Sequence, residues 1–214
     1  MNKKIANEII RDDLLSKDVE DESNFLYSFP SPENQITNLR NPNWKEENLT
    51  NKYVKIYYEI IDKLKNETDF KHVVMPFNKL RIKKYAKNFL EFKTKVWYFQ
   101  RHHIDEIKIS GAIFRTLEDY KYGEAILVSI EEHFFLHYLI VLAQTTYPNN
   151  GMLVQLSWSE DTNIINNKKE YWAKIAKKYC LKYGLEYDSS FLDKITDLSK
   201  ILDQIFMKIK DFVI

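Results

Sequence analysis

The chain has 214 residues, 44% of them hydrophobic and 29% charged, with a formal net charge of +1. Such a chain can bury a real core as one ordinary domain with flanking arms, and its near-neutral total gives no bulk pointer to a nucleic-acid partner. Four glycines and five prolines argue against a turn-rich sandwich or barrel, and a single cysteine, Cys180, excludes an intrachain disulfide and a four-cysteine zinc site.

The first residues are amphipathic and soon acidic, without the apolar stretch of a secretory signal. The longest apolar run, 134–143, contains His137 and is too short to span a bilayer. A soluble, cytoplasmic protein without a membrane partner is expected, and lone Cys180 suits a reducing compartment as a buried small hydrophobe. Residues 5–16 suit a short helix. The stretch 17–45 carries Pro30, Pro32 and Pro42 and reads as an irregular acidic connection, so 1–45 is expected to be an arm or linker.

Residues 47–66 place Tyr53, Ile56, Tyr57, Ile60, Ile61 and Leu64 at helical spacing, which predicts an amphipathic helix. Pro76 breaks the chain. A basic helix is expected over 78–91, with Leu80, Tyr85 and Leu90 toward the core, completing a helical region 46–92. Residues 93–100 alternate around Val96, Trp97, Tyr98 and Phe99, a strand pattern. A long polar connection leads to a second short strand at 125–130. The clearest helix, 131–147, stops before the turn Pro148-Asn149-Asn150-Gly151. Helices near 167–184 and 189–212 fill a C-terminal region 159–214. Trp44, Trp97, Trp158 and Trp172 are read as packing residues. The fold class is α+β, mostly helical, with one central strand–loop–strand–helix unit within 93–158.

Charge is segregated along the chain. Asp12, Asp13, Asp18, Glu20, Asp21, Glu22 and Glu33 face only Lys17 in the stretch 12–33. Lys79, Arg81, Lys83, Lys84, Lys87, Lys93, Lys95 and Arg101 face only Glu91 in 79–101. A basic helix of this kind, with Lys79, Arg81, Lys83, Lys84 and Lys87, can track a nucleic-acid backbone; a solvated surface face is the plainer reading.

Four of the five histidines lie in the central unit. His133 and His137 stand four apart on one helix, so both rings project from one face and can chelate one cation. His102 and His103 close the first strand. Neighbours on an extended chain point to opposite sides, so one ring can bind metal while the other faces a substrate. A neutral imidazole can deprotonate water, and a cation can stabilise the charge that builds at a phosphoryl centre.

The segment Tyr98-Phe99-Gln100-Arg101-His102-His103-Ile104 resembles the His-His-Ile opening of phage-type HNH (ββα-metal) endonucleases. Residues 125–140, with Glu132-His133 and His137 on an apolar helix, resemble the family's second block, and Tyr147-Pro148-Asn149-Asn150-Gly151-Met152 resembles the turn after it. The likeness covers about residues 95–158. It implies His103 as the general base, His102, His133 and His137 as ligands of one divalent ion (magnesium, manganese, nickel or zinc), and Arg101 or Arg115 as a clamp on the scissile phosphate. It further implies double-stranded DNA as partner, metal-dependent cleavage of its phosphodiesters, and a possible homodimer to cut both strands.

The chain departs from the family's pattern in two places: Ile107-Lys108-Ile109-Ser110-Gly111 stands where a Gly-Gly loop is common after the His-His block, and one motif position differs. Where the family carries an Asn, nine residues before His133, this chain has Glu124, and no Asn occurs between His103 and Pro148. Glu124 would orient the imidazole, join the metal shell, or mark a site that has lost activity. Two other classes therefore stand beside the nuclease: a catalytically impaired DNA-binding protein on the same fold, and a protein-binding immunity or anti-defence factor that acts through the acidic N-terminal stretch.

Overall fold

A computed structural model describes residues 30–67, 72–82, 99–146 and 162–194. The described chain is a mostly helical α+β structure with a small antiparallel sheet. No helix among the described residues is long and apolar enough to cross a membrane.

The organising element is helix α6 (Ile130–Ala143), which follows strand β3 (Glu124–Ser129) without a break. Ser129 caps it: its side chain accepts from the Glu132 amide, while the Glu132 carboxylate accepts from the Ser129 amide, so two otherwise orphaned donors are satisfied. Every residue from Phe134 to Ala143 is buried. A helix apolar on all sides must be wrapped by other elements. The wrapping comes from α3 (Lys52–Asn66), the C-terminal α7 (Thr162–Tyr183) and one face of the sheet.

Helix α3 starts at Asn51, whose side chain accepts from the amides of Tyr53 and Val54 and donates to the Ala143 carbonyl. One residue thus caps α3 and fastens it to the far end of α6. Val54, Tyr57, Tyr58, Ile60, Ile61 and Leu64 form its buried face, close to the stripe read from the sequence. Helix α7 contributes Trp172, Ile175, Ala176, Tyr179 and Cys180, an i, i+3, i+4, i+7, i+8 stripe. Trp172 stacks on Phe134 at 4.3 Å. Gly184, at φ 67°, ends the helix in the left-handed conformation that glycine tolerates best.

The sheet has the order β1-β3-β2, with β1 (Val74–Pro76) and β2 (Phe99–His103) both antiparallel to β3. Alternation along β3 divides the core. Ile126 and Val128 join the large cluster around α6, whereas Ala125 and Leu127 pack with Leu80 on the opposite face.

Several elements differ from the sequence expectation. Part of the expected irregular connection is helical: α1 (Pro32–Arg40) starts at the cap Ser31, and α2 (Trp44–Glu47) buries Trp44. Gln35 anchors α1, since its amide donates to the Pro30 carbonyl and its oxygen accepts from the Ser110 amide. A polar residue committed to tertiary bonds leaves no hydrophobic periodicity to read. The first turn of the expected basic helix is instead a β-edge turn, Phe77–Lys79, held by the Lys79 amide on the Pro76 carbonyl. Lys83, Lys84, Lys87 and the rest of 83–98 lie outside the described residues, as do 1–29, the 147–151 turn, Trp158 and the helix expected beyond 194. The polar connection after His103 is a compact series: a 3-10 turn (Ile104–Ile107), α4 (Gly111–Phe114) and α5 (Asp119–Tyr122).

If the α6–α7 contact carries α7, Phe134→Ala should lower unfolding free energy by about 3–5 kcal/mol, the usual cost of emptying a buried aromatic site. Denaturant titration followed by Trp172 fluorescence measures this. A loss under about 1 kcal/mol would mean α7 docks elsewhere.

Candidate metal centre

The hairpin β2–β3 and the start of α6 bring four side chains together. His102 lies one residue before the end of β2, opposite Ile126, Glu106 lies on the following 3-10 turn, and His133 and His137 occupy successive turns of α6. One ligand atom from each lies within 4.8 Å of all the others, so the group can hold a metal ion. Glu106 Oε2 is 3.2 Å from His137 Nε2 and 4.0 Å from His102 Nδ1, and His133 Nε2 is 3.2 Å from His137 Nε2.

Outer partners set two of the imidazoles. The Tyr57 hydroxyl donates to the Ile104 carbonyl at 3.0 Å, so it accepts from His102 Nε2 at 2.7 Å. His102 is then protonated on Nε2, and the Nδ1 lone pair, buried and without a hydrogen-bond partner, faces the cluster. Gln100, two residues earlier on the same face of β2, accepts from His133 Nδ1 and turns the Nε2 lone pair of His133 inward. This bracing is how metal-ligating histidines are commonly oriented. His137 Nδ1 is buried without such a partner.

Electrostatics favour a cation. Burial drives His102 well below the ordinary histidine range against the opposing charge of Glu106. Burial, with repulsion from His137, takes His133 down to about 3. Burial pushes Glu106 upward, but its hydrogen bond to His137 and the imidazoles around it outweigh that and hold it below the usual carboxylate range. Two neutral imidazoles and an anion share a buried space, which suits a divalent ion of the kind bound by nitrogen and oxygen donors. The donor set therefore fits the expected metal: His102, His133 and His137 converge as anticipated, and Glu106 joins them. Sequence reasoning missed Glu106, although His102-x-x-x-Glu106 is itself a chelate-like spacing. Glu124, which the motif position suggested, is exposed at the start of β3 opposite Pro76.

His103 faces the other side of the sheet. Its ring stacks on Phe77 at 4.1 Å and touches Tyr120 and Phe114 at 4.4 and 4.8 Å. It is 1% exposed, and neither ring nitrogen has a hydrogen-bond partner. Burial takes it down to about 4, so it is neutral near pH 7. Arg101, two residues back on the same face, lies 3.9 Å over the Phe77 ring and donates to the Phe77 carbonyl at 3.1 Å. Two planar groups that close to one ring centre cannot share a face of it, so Phe77 is wedged between Arg101 and His103. Gly123 completes this box: a Cβ there would lie 3.1 Å from Phe114 and 3.2 Å from the Asp119 carbonyl. Lys79, Arg81 and Arg115 are exposed, and a hydrogen bond from the Asn78 amide to the Lys121 carbonyl sets the Lys79 turn beside α5.

A second acidic grouping, Glu67, His72 and Glu132, could also hold an ion. Its members already serve the fold, since Glu132 completes the α6 cap and bonds His72, and Glu67 pairs with Lys182.

No protein-family profile matches the chain, and no curated protein or solved structure is significantly similar to it.

Tyr57→Phe should weaken binding of a divalent transition metal by roughly 10–100-fold, as expected when an outer-shell partner is lost. Competition titration with a chromogenic chelator measures this, and unchanged affinity would remove Tyr57 from the site. Acid should destabilise the metal-free protein. His103 and His133 bind protons in the folded chain only near pH 4 and 3, against about 6.5 when unfolded. Between those limits the unfolded chain binds more protons, so their contribution is complete above about pH 6.5 and declines as pH falls. Urea midpoints should drop from pH 7 to 5, and less steeply in His103→Leu. A flat profile would contradict the neutral buried imidazoles.

Proposed function

We propose that the chain is a divalent-metal-dependent nuclease whose centre is a ββα-metal unit. The observation that carries this reading is the convergence of His102, Glu106, His133 and His137 on an antiparallel hairpin that runs directly into a helix. The bound ion would act as a Lewis acid at a phosphoryl oxygen and stabilise the leaving oxygen.

The chain's own residues supply the remainder. Tyr57 and Gln100 keep the imidazole lone pairs of His102 and His133 aimed inward. His103 is neutral but lies on the opposite face of the sheet from the metal ligands, so it would serve as base only in a rearranged hairpin that brings both to one phosphodiester. Arg101 lies over the opposite face of the Phe77 ring, and its planar fork suits a phosphodiester. Exposed Lys79, Arg81 and Arg115 offer backbone contacts that would make DNA binding salt-dependent. Histidine donors point to zinc, nickel or manganese ahead of magnesium.

Two observations favour a second reading, a structural metal centre in a DNA-binding protein: His103 is enclosed, and the candidate ligand set is already four. A plasmid-nicking assay separates the two. The nuclease reading expects metal-dependent nicking that falls by about 10² or more in both His133→Ala and His103→Ala, the scale of a lost acid–base or metal contribution. Stoichiometric metal binding with salt-sensitive DNA binding and no nicking in any of the four metals would favour the structural centre.

A further inference from the structure

We infer that Glu106 is the fourth ligand of the metal centre and occupies the coordination position a substrate oxygen requires, so that the resting site is closed by its own carboxylate. This rests on the metal centre proposed above, though not on nuclease activity.

Three observations carry it. Spacing is the first. Four ligands at about 2.0–2.2 Å around a tetrahedral ion lie roughly 3.3–3.6 Å from one another. The separations from Glu106 Oε2 to His137 Nε2 and His102 Nδ1, 3.2 and 4.0 Å, bracket that span, and His133 Nε2 stands 3.2 Å from His137 Nε2.

The second is proton accounting. His102 Nε2–H is committed to Tyr57 and His133 Nδ1–H to Gln100. Their inner nitrogens are therefore acceptors, and an ionised carboxylate is an acceptor as well. At most one N–H, from His137, is available to three facing lone-pair groups. Hydrogen bonding alone leaves this arrangement repulsive, whereas a cation at its centre makes every contact attractive.

The third is the placement of charge. The side chain of Glu106 is 15% exposed, and the basic groups nearest its carboxylate among the described residues are the imidazoles of His102 and His137. The adjacent Asp105 turns away to Lys108 at 2.9 Å. Buried Ile104 and Ile107 pin the turn on both sides, so the two neighbouring acids are sent to different partners. A carboxylate this enclosed needs a compensating charge, and no lysine or arginine among the described residues pairs with it.

Three histidines and a carboxylate form a complete tetrahedral set that suits zinc or cobalt and leaves no place for water. His102 is fixed in a strand, and His133 and His137 in a buried helix. Glu106 alone sits on a short turn at the edge of the site, so it is the ligand with a path outward. A phosphodiester would enter by exchange with this carboxylate.

Cobalt(II) and inorganic phosphate test the assignment on the full chain, with no nucleic acid involved. Wild type should take up one cobalt with the intense visible bands of a four-coordinate site, and millimolar phosphate should leave those bands unchanged. In Glu106→Ala, cobalt should bind roughly tenfold more weakly or worse. Its bands should weaken as water enters, and phosphate should then shift them. The near-isosteric Glu106→Gln keeps the test valid if the alanine variant misfolds, and should also lose affinity. Unchanged affinity and spectrum in the variants, or a phosphate response as large in wild type as in Glu106→Ala, would overturn the inference. A wild type that binds no cobalt would overturn the centre itself, whereas cobalt binding without DNA cleavage removes only the nuclease reading.

Discussion

A helix buried on every side leaves little freedom to the polar groups it carries. Ten consecutive residues of α6 are buried, and His137 is among them. An imidazole in that position loses its hydration and must be matched by something inside the protein. The wrapping of α6 by α3, α7 and the sheet therefore does two things at once. It supplies most of the apolar burial that stabilises the fold, and it creates a space in which only a paired or metal-bound histidine is comfortable. The core and the site are consequences of the same packing.

Tyr57 shows how closely the two are joined. It lies on the buried face of α3, where its ring packs in the core, and its hydroxyl bridges His102 and the Ile104 carbonyl. The end of β2, the start of the 3-10 turn and the tautomer of His102 are all fixed through one oxygen. Glu106 follows two residues later, on a turn whose direction that same bond sets. Metal affinity in such a site depends on a helix some 45 residues earlier in the chain, and its loss would be felt as a reoriented ligand as well as a vacancy in the core.

Legibility in the sequence followed the strength of periodic pattern. The α3 stripe, β3 and α6 were readable because apolar residues recur there at helical or strand spacing, and the four histidines lie at the end of β2 and along α6. The helix α1 was not readable, since its anchor is Gln35, a polar residue whose role lies in bonds to Pro30 and Ser110. Strand β1 has three residues and ends at Pro76, too short for any alternation to register. Within the candidate site, the histidines were legible and the carboxylate was not. Attention to a motif position favoured Glu124, whereas the fold brings in Glu106 because the polar connection opens with a compact 3-10 turn directly after His103. The ordering of a loop decided the donor set, and loop geometry leaves little trace in hydrophobic pattern.

His102 and His103 carry the same side chain on adjacent residues and meet opposite environments. The pleat sends His102 toward α6, where its outer nitrogen is bonded and its inner one faces other donors. It sends His103 into a box of Phe77, Phe114 and Tyr120, where both nitrogens are unsatisfied. Stacking recovers part of the cost of burying that ring, but a leucine or phenylalanine would fill an aromatic box without stranding two polar atoms, each worth roughly 1–3 kcal/mol. Packing alone therefore gives no reason for histidine at 103. A polar group kept at such a cost has no account in packing, and among the rings that enclose it Phe77 is the one it shares with Arg101.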